Sequence, residues 1–222
     1  MNNATEIEFF FDCSSPWTYL AFHNIQPLAA ELNVPIQWRP ILVGGIFNSV
    51  NPSVYEMRKH PVPAKQAYML KDLQDWSRAA QLKIVMPPKV FPVNSVKAMR
   101  GCIWLLQNDP SAQKPAMVAF AKAVFEAYWA REEDISQDAV LADIFAGLGE
   151  SVGVDVKAFF DGISQTTIKE QLKANTEALI SRGGFGSPTM FVANVSAEDM
   201  YFGNDRLGLL RNAILAKNEP PG

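Results

Sequence analysis

The apolar positions of this chain change period several times along its length. From residue 7 to residue 11 they run almost unbroken, Ile-Glu-Phe-Phe-Phe, as in a strand covered on both faces. From Pro16 they take up helical spacing. Trp17, Leu20, Ala21, Ile25, Leu28 and Ala29 recur three and four apart, Pro16 stands in a first turn that suits its fixed φ, and the helix is expected to end near Leu32-Asn33. A second strand is expected over 36–40, and strand, helix, strand in so short a span predicts a right-handed βαβ unit with parallel strands. Residues 41 to about 63 hold Gly44-Gly45, Asn48, Asn51-Pro52, Pro61 and Pro63 and read as loop.

Helical periodicity then dominates, with helices expected over 64–80, 96–107, 114–130, 137–147, 154–163 and 166–181. Met86-Pro87-Pro88 and Phe91-Pro92 break the pattern, and Asn94 and Ser95 offer caps for the second of these helices. After the glycines at 183–186 the period returns to that of strands, over 189–193 and 200–202, with a hairpin through 194–199. A last helix is expected over 207–217, opened by Gly203-Asn204-Asp205-Arg206. The order β-α-β, helical block, β-β-α is that of an α/β, thioredoxin-like (DsbA-like) fold with a large all-helical insertion. It places residues 1–50 and 183–222 in the thioredoxin-like domain and 51–182 in the inserted helical domain.

Composition narrows the function classes. A chain of 222 residues, 48% hydrophobic, buries a sizeable core. The net charge of −3 comes from mixed signs with no block of like charge, so no footprint for nucleic acid or an anionic membrane is expected. The apolar runs are too short for a membrane helix, and no basic-then-apolar leader opens the sequence, which suggests a cytoplasmic protein. Cys13 and Cys102 are the two cysteines and lack CxxC spacing, so reduced thiols are expected rather than a disulfide framework or a zinc site. His23 and His60 have no second ligand at metal-binding spacing, and no metal is expected.

Three places carry candidate chemistry. Ser15-Pro16-Trp17-Thr18 sits where a helix begins, facing free backbone N–H groups and the positive end of the helix dipole. In thiol oxidoreductases that position lowers the pKa of the first cysteine of CxxC. Here Ser15 and Thr18 fill both cysteine positions, which excludes disulfide chemistry but leaves a hydroxyl able to donate to a ligand's thiolate. The same serine also serves as an ordinary helix cap. Ser187-Pro188, ahead of a strand, stands where this fold keeps a cis-proline whose preceding residue offers its backbone to an extended peptide. A trans proline at a strand start is the alternative. Asn204 and Asp205 open the last helix, as caps or as the place for a carboxylate and an ammonium group. Glutathione, with a thiol, a peptide backbone, an amine and two carboxylates, meets all three.

The segments FFFDCSSPWTYLAF, IQWRPILVGGIF, KQAYMLKDLQDWSR, FPVNSVKAMRG, AYWAREEDIS, GGFGSPTMFV and YFGNDRLGLL run from end to end of the chain. Together they resemble the family of 2-hydroxychromene-2-carboxylate isomerases and kappa-class glutathione transferases, relatives of the DsbA thiol oxidases. The resemblance implies a homodimeric, glutathione-dependent isomerase of aromatic catabolism. In it a thiolate adds to the chromene, the ring opens, a bond rotates, and elimination gives trans-o-hydroxybenzylidenepyruvate. It implies that Ser15 holds the glutathione sulfur, that Ser187 and Pro188 pair with its cysteinyl part, and that Asn204 and Asp205 hold its γ-glutamyl end. It further implies Asn51 near the thiol (Asn48 lies close by), Lys65 toward a glutathione carboxylate, Arg39 toward a substrate carboxylate, and Tyr68 and Trp129 along the aromatic pocket. Two alternatives stay open: a kappa-class-like glutathione transferase, and a DsbA-like thiol- or peptide-binding protein without isomerase activity, for which Cys13 would be the thiol. Cys13 and Cys102 also read as small core residues, Tyr68 and Trp129 as buried core, and Arg39 and Lys65 as solvated surface charges.

Overall fold

The computed structural model describes residues 5–111, 113–148, 155–192 and 199–218. Its sheet has the order β2-β1-β3-β4, with β1 (Ile7–Phe11) parallel to β2 (Ile36–Pro40) and antiparallel to β3 (Thr189–Val192), which in turn pairs antiparallel with β4 (Met200–Phe202). The strand boundaries follow from the run of apolar residues, because β1 is buried on both faces. Ile7, Phe9 and Phe11 face the larger core, where Phe11 and Trp38 meet Phe22 of α1 (Pro16–Leu32). Phe10 turns the other way, onto Phe191 and Leu179. That second layer is covered by α9 (Thr166–Ser181) and the short helix α2 (Val43–Ser49). Glu8, on the Phe10 side, holds both Arg39 and Arg182 in ion pairs.

Between the two halves of the sheet run α3 (Ser53–Lys59), α4 (Pro63–Ala79), α5 (Val96–Asn108), α6 (Pro115–Phe125), α7 (Asp138–Gly147), α8 (Val156–Ile163) and α9. The chain ends in a 3₁₀ turn (Asn204–Arg206) and α10 (Leu207–Asn218). The larger core is continuous from the sheet into these helices, through Tyr19 stacked on Phe125 at 5.0 Å and Phe145 stacked on Phe159 at 4.4 Å. Most of the hairpin expected at 194–199 lies outside the described residues.

The structure departs from the expected elements in two places. The segment read as loop over 41–63 contains the helices α2 and α3. Helix α2 forms in spite of Gly44-Gly45 because distant side chains satisfy its first donors: Thr176 Oγ1 accepts from Leu42 N at 3.1 Å and Asp12 Oδ2 from Val43 N at 2.9 Å. No local pattern contains those partners. The helix expected over 114–130 is α-helical only to Phe125 and then widens into a π-type turn, Glu126–Ala130. The wider turn directs the fully buried Trp129 beneath the end of β1, where its indole N–H donates to the Cys13 carbonyl at 2.9 Å. The Trp129 carbonyl accepts from Val85 N at 2.8 Å, so the turn is fastened on both sides.

Trp129→Phe deletes that indole donor and leaves the Cys13 carbonyl buried without it. Urea unfolding is expected to show a loss of about 2 kcal/mol, in the range for an orphaned buried acceptor, with the slope of the transition unchanged.

Candidate active site

The site is built on the last residue before the turn that joins β1 to α1. Asp12 is buried, and its carboxyl gathers three separate segments. Oδ1 accepts from Ser14 N at 2.9 Å in the turn itself, Oδ2 accepts from Val43 N at the start of α2, and the Ser95 hydroxyl ahead of α5 is turned toward it. Burial pushes the Asp12 carboxyl above the usual carboxylate range, and these donors only partly offset that.

Ser15 caps α1: its Oγ accepts from Thr18 N at 3.2 Å, and Pro16 follows at the first helical position. Its hydroxyl proton is directed to the Ser187 carbonyl, 3.2 Å away. The first turn contains no acidic residue to neutralise the positive end of the helix. The Ser187–Pro188 bond is cis. Ser187 Oγ shares a hydrogen bond with Thr18 Oγ1 at 2.8 Å and accepts from Asp12 N at 3.1 Å. Thus Ser15 and Thr18, in one helical turn, and the sequence-distant Ser187 form one cluster of hydroxyls around a helix N-terminus, and Thr18 and Ser187 are both buried.

Asn204 and Asp205 sit in the 3₁₀ turn next to this cluster, where Gly203 N donates to the Pro188 carbonyl at 3.1 Å. Asn204 is buried, and its Nδ2 has no hydrogen-bond partner. Asp205 is exposed and pairs with Arg206. Asn51 reaches in from the α2–α3 turn and donates from Nδ2 to the Phe185 carbonyl at 3.0 Å, two residues ahead of Ser187. Asn48 instead accepts from the Tyr55 hydroxyl.

The other sequence candidates lie elsewhere. Arg39 is on β2 and committed to Glu8, in the layer covered by α9. Lys65 and Tyr68 are exposed on the first turns of α4, Tyr68 to 65%. Trp129 is wholly buried under the site and offers no surface to a ligand. Asp12, which the sequence reading did not single out, is integral to the site, and Thr18, named there only as filling a cysteine position, joins it through Ser187. The only signal for Asp12 was a carboxylate set directly after three phenylalanines.

Cys13 has the opposite character. It is fully buried, its N–H points to Met99 Sδ at 3.3 Å, and burial beside the Cys102 thiol holds its pKa well above the ordinary thiol range. Such a thiol stays protonated and shielded at neutral pH. Among the described residues no group of three His, Cys, Asp or Glu is placed to hold a metal ion, and no helix is long and apolar enough to cross a membrane.

Comparison with known proteins agrees with this fold. Residues 6–215 match the DSBA-like thioredoxin domain family. A 2-hydroxychromene-2-carboxylate isomerase of Pseudomonas sp. (strain C18) is 33% identical over 211 residues, 94% of this chain and 89% of that protein. The human glutathione S-transferase kappa 1 is 28% identical over 94% of this chain and 90% of its own. Among solved structures, a 2-hydroxychromene-2-carboxylate isomerase superposes with a TM-score of 0.72 at 28% identity, covering 95% of both chains.

The raised Asp12 pKa gives a signed expectation for stability. A carboxyl with a folded pKa above its unfolded one adds stability at low pH, and that contribution is lost as pH rises through the folded value. The stability of the wild type minus that of Asp12→Asn should therefore fall as pH is raised from about 4, by at most about 1.4 kcal/mol per unit. Urea titrations of both proteins from acid to neutral pH check this, and a difference that rises with pH would contradict it.

Proposed function

We propose that this chain, which belongs to the DSBA-like thioredoxin domain family and within it to the group of 2-hydroxychromene-2-carboxylate isomerases and kappa-class glutathione transferases, is a glutathione-dependent isomerase acting on 2-hydroxychromene-2-carboxylate or a closely similar aromatic carboxylate. The observation that carries this reading is the replacement of thiols by hydroxyls. Where a thiol oxidoreductase has its CxxC, this site has Ser15 and Thr18, and its own Cys13 is sealed below. A sulfur brought by a ligand can use that helix end, and the protein's own sulfur cannot.

The residues present fit glutathione. The unpartnered Asn204 amide is a buried donor awaiting an acceptor, as a γ-glutamyl carboxylate would provide, and Asp205 stands beside it for the amine. When bound, glutathione supplies a sulfur nucleophile that is also a leaving group and is returned unconsumed, as a redox-neutral isomerisation requires. Ser15 is the residue we assign to that sulfur. A serine has one proton to donate, and Ser15 now spends it on the Ser187 carbonyl. A peptide N–H laid along Ser187 takes over that carbonyl and frees the Ser15 proton for a thiolate at the positive end of α1. Thr18 holds Ser187 in place through its Oγ, and Asn51 holds the loop just ahead of it.

The same reading extends to a cytoplasmic homodimer working in aromatic catabolism. In support of a dimer, α3, α4 and the link between them leave Met57, Val62, Tyr68 and Met69 exposed. The likeness to kappa-class transferases favours a second outcome at the same site, in which sulfur stays on the product. Recovery of free glutathione after turnover distinguishes the two.

Ser15→Ala should lower isomerase turnover about 10- to 100-fold, the worth of a hydrogen bond to a charged group. It should also raise the pKa of the bound thiol, followed by the ultraviolet absorbance of the thiolate. Loss of the cap costs about 1 kcal/mol, and the protein stays folded. Undiminished turnover in a glutathione-saturated Ser15→Ala enzyme would refute the assignment. Asn204→Ala is expected to weaken glutathione uptake about tenfold in calorimetry, since the carboxylate loses a buried donor.

A further inference from the structure

Helix α3 contains no buried side chain, yet one of its charges is held in a defined place. The Arg58 guanidinium lies over the Phe47 ring of α2 at 5.9 Å and over the Phe91 ring at 5.4 Å. Phe47 is itself met edge-on by Tyr55 at 6.2 Å. Among the described residues no carboxylate pairs with Arg58; its neighbour Glu56 is taken by Lys59. A guanidinium fixed by its faces keeps its N–H edge free, and that edge matches a carboxylate.

The cluster bridges two walls that rise from the same point. Phe47 belongs to α2, whose first N–H is held by Asp12. Phe91 belongs to the segment that leads to Ser95, whose hydroxyl is turned to the same Asp12 carboxyl. The turn between Phe47 and Arg58 is tied by Asn51 to the Phe185 carbonyl, beside Ser187. The cation and its rings therefore lie on segments that are tied at Asp12 and beside Ser187, and Arg39, the cation expected from the sequence, is spent on Glu8.

We infer that Arg58 is the residue that recognises the carboxylate of an aromatic acid entering this site, with Phe47, Tyr55 and Phe91 receiving its ring. The inference rests on the proposed function for the identity of the site, and it adds the group that selects an acid over a neutral compound of the same shape. It explains why a solvent-facing helix places a guanidinium between two aromatic rings with no acidic partner.

Direct binding tests it, with 2-hydroxycinnamate and its methyl ester as probes for the glutathione-loaded protein. The wild type should bind the acid about tenfold more tightly than the ester. Arg58→Gln should erase that preference by weakening the acid alone, with the ester within about twofold of wild type. Arg58→Lys should keep part of it. Loss of both affinities together in Arg58→Gln, or an acid preference that survives it, would overturn the inference. If the wild type fails to convert 2-hydroxychromene-2-carboxylate while the acid preference is present and vanishes in Arg58→Gln, the assigned reaction is wrong and the carboxylate site stands.

Discussion

The Asp12 carboxyl is the interaction on which the site depends. It lies at the end of a strand buried on both faces and accepts from the β1–α1 turn and from the first N–H of α2, with the Ser95 hydroxyl turned toward it. A buried carboxyl is unfavourable unless its oxygens are occupied. Here their partners are the backbone groups that would otherwise be orphaned at a tight turn and a helix start. Each side eases the other's deficit, and the result fixes the Ser15 turn relative to the α2–α3 wall. Trp129 completes the arrangement from below, by closing the Cys13 carbonyl with its indole N–H.

The parts of the fold legible in the sequence are those whose cause is local. The strands β1 and β2, the start of α1 at Pro16 and the span of α9 follow from periodicity and from proline and cap chemistry, and the structure has them at or within a residue of the expected limits. Helix α2 was hidden because a helix containing Gly44-Gly45 is stabilised by acceptors more than thirty or a hundred residues away, Asp12 and Thr176. The π-type turn at 126–130 was hidden for a similar reason, since an α-helix and a helix with one wider turn have nearly the same apolar pattern.

The site divides along the same line. Ser15, Ser187 and Asn204 stand out in the sequence because each lies at a helix start or before a proline, and the structure gathers them at one end of α1. Whether a given cation is free or already paired is a tertiary fact. Arg39 on its strand is indistinguishable in sequence from a ligand-binding arginine, and only the placement of Glu8 between Arg39 and Arg182 shows that it is spent. Likewise Trp129 has the composition of a pocket wall and the position of a foundation.

Under the proposed function, the contrast between Cys13 and Ser15 is how the scaffold chooses its sulfur. Only Ser14 separates them, yet one points into a core where burial and a second thiol keep it protonated, and the other stands at a helix end where negative charge is favoured. Moving the thiol from the helix end into the core would abolish chemistry unless another sulfur could reach the vacated place. A hydroxyl there suits that purpose better than a thiol. It donates one hydrogen bond, cannot form a mixed disulfide with a visiting thiol, and releases the visitor when the reaction is done. The buried cysteine then serves as packing, and the redox inertness of the site follows from its geometry as much as from its composition.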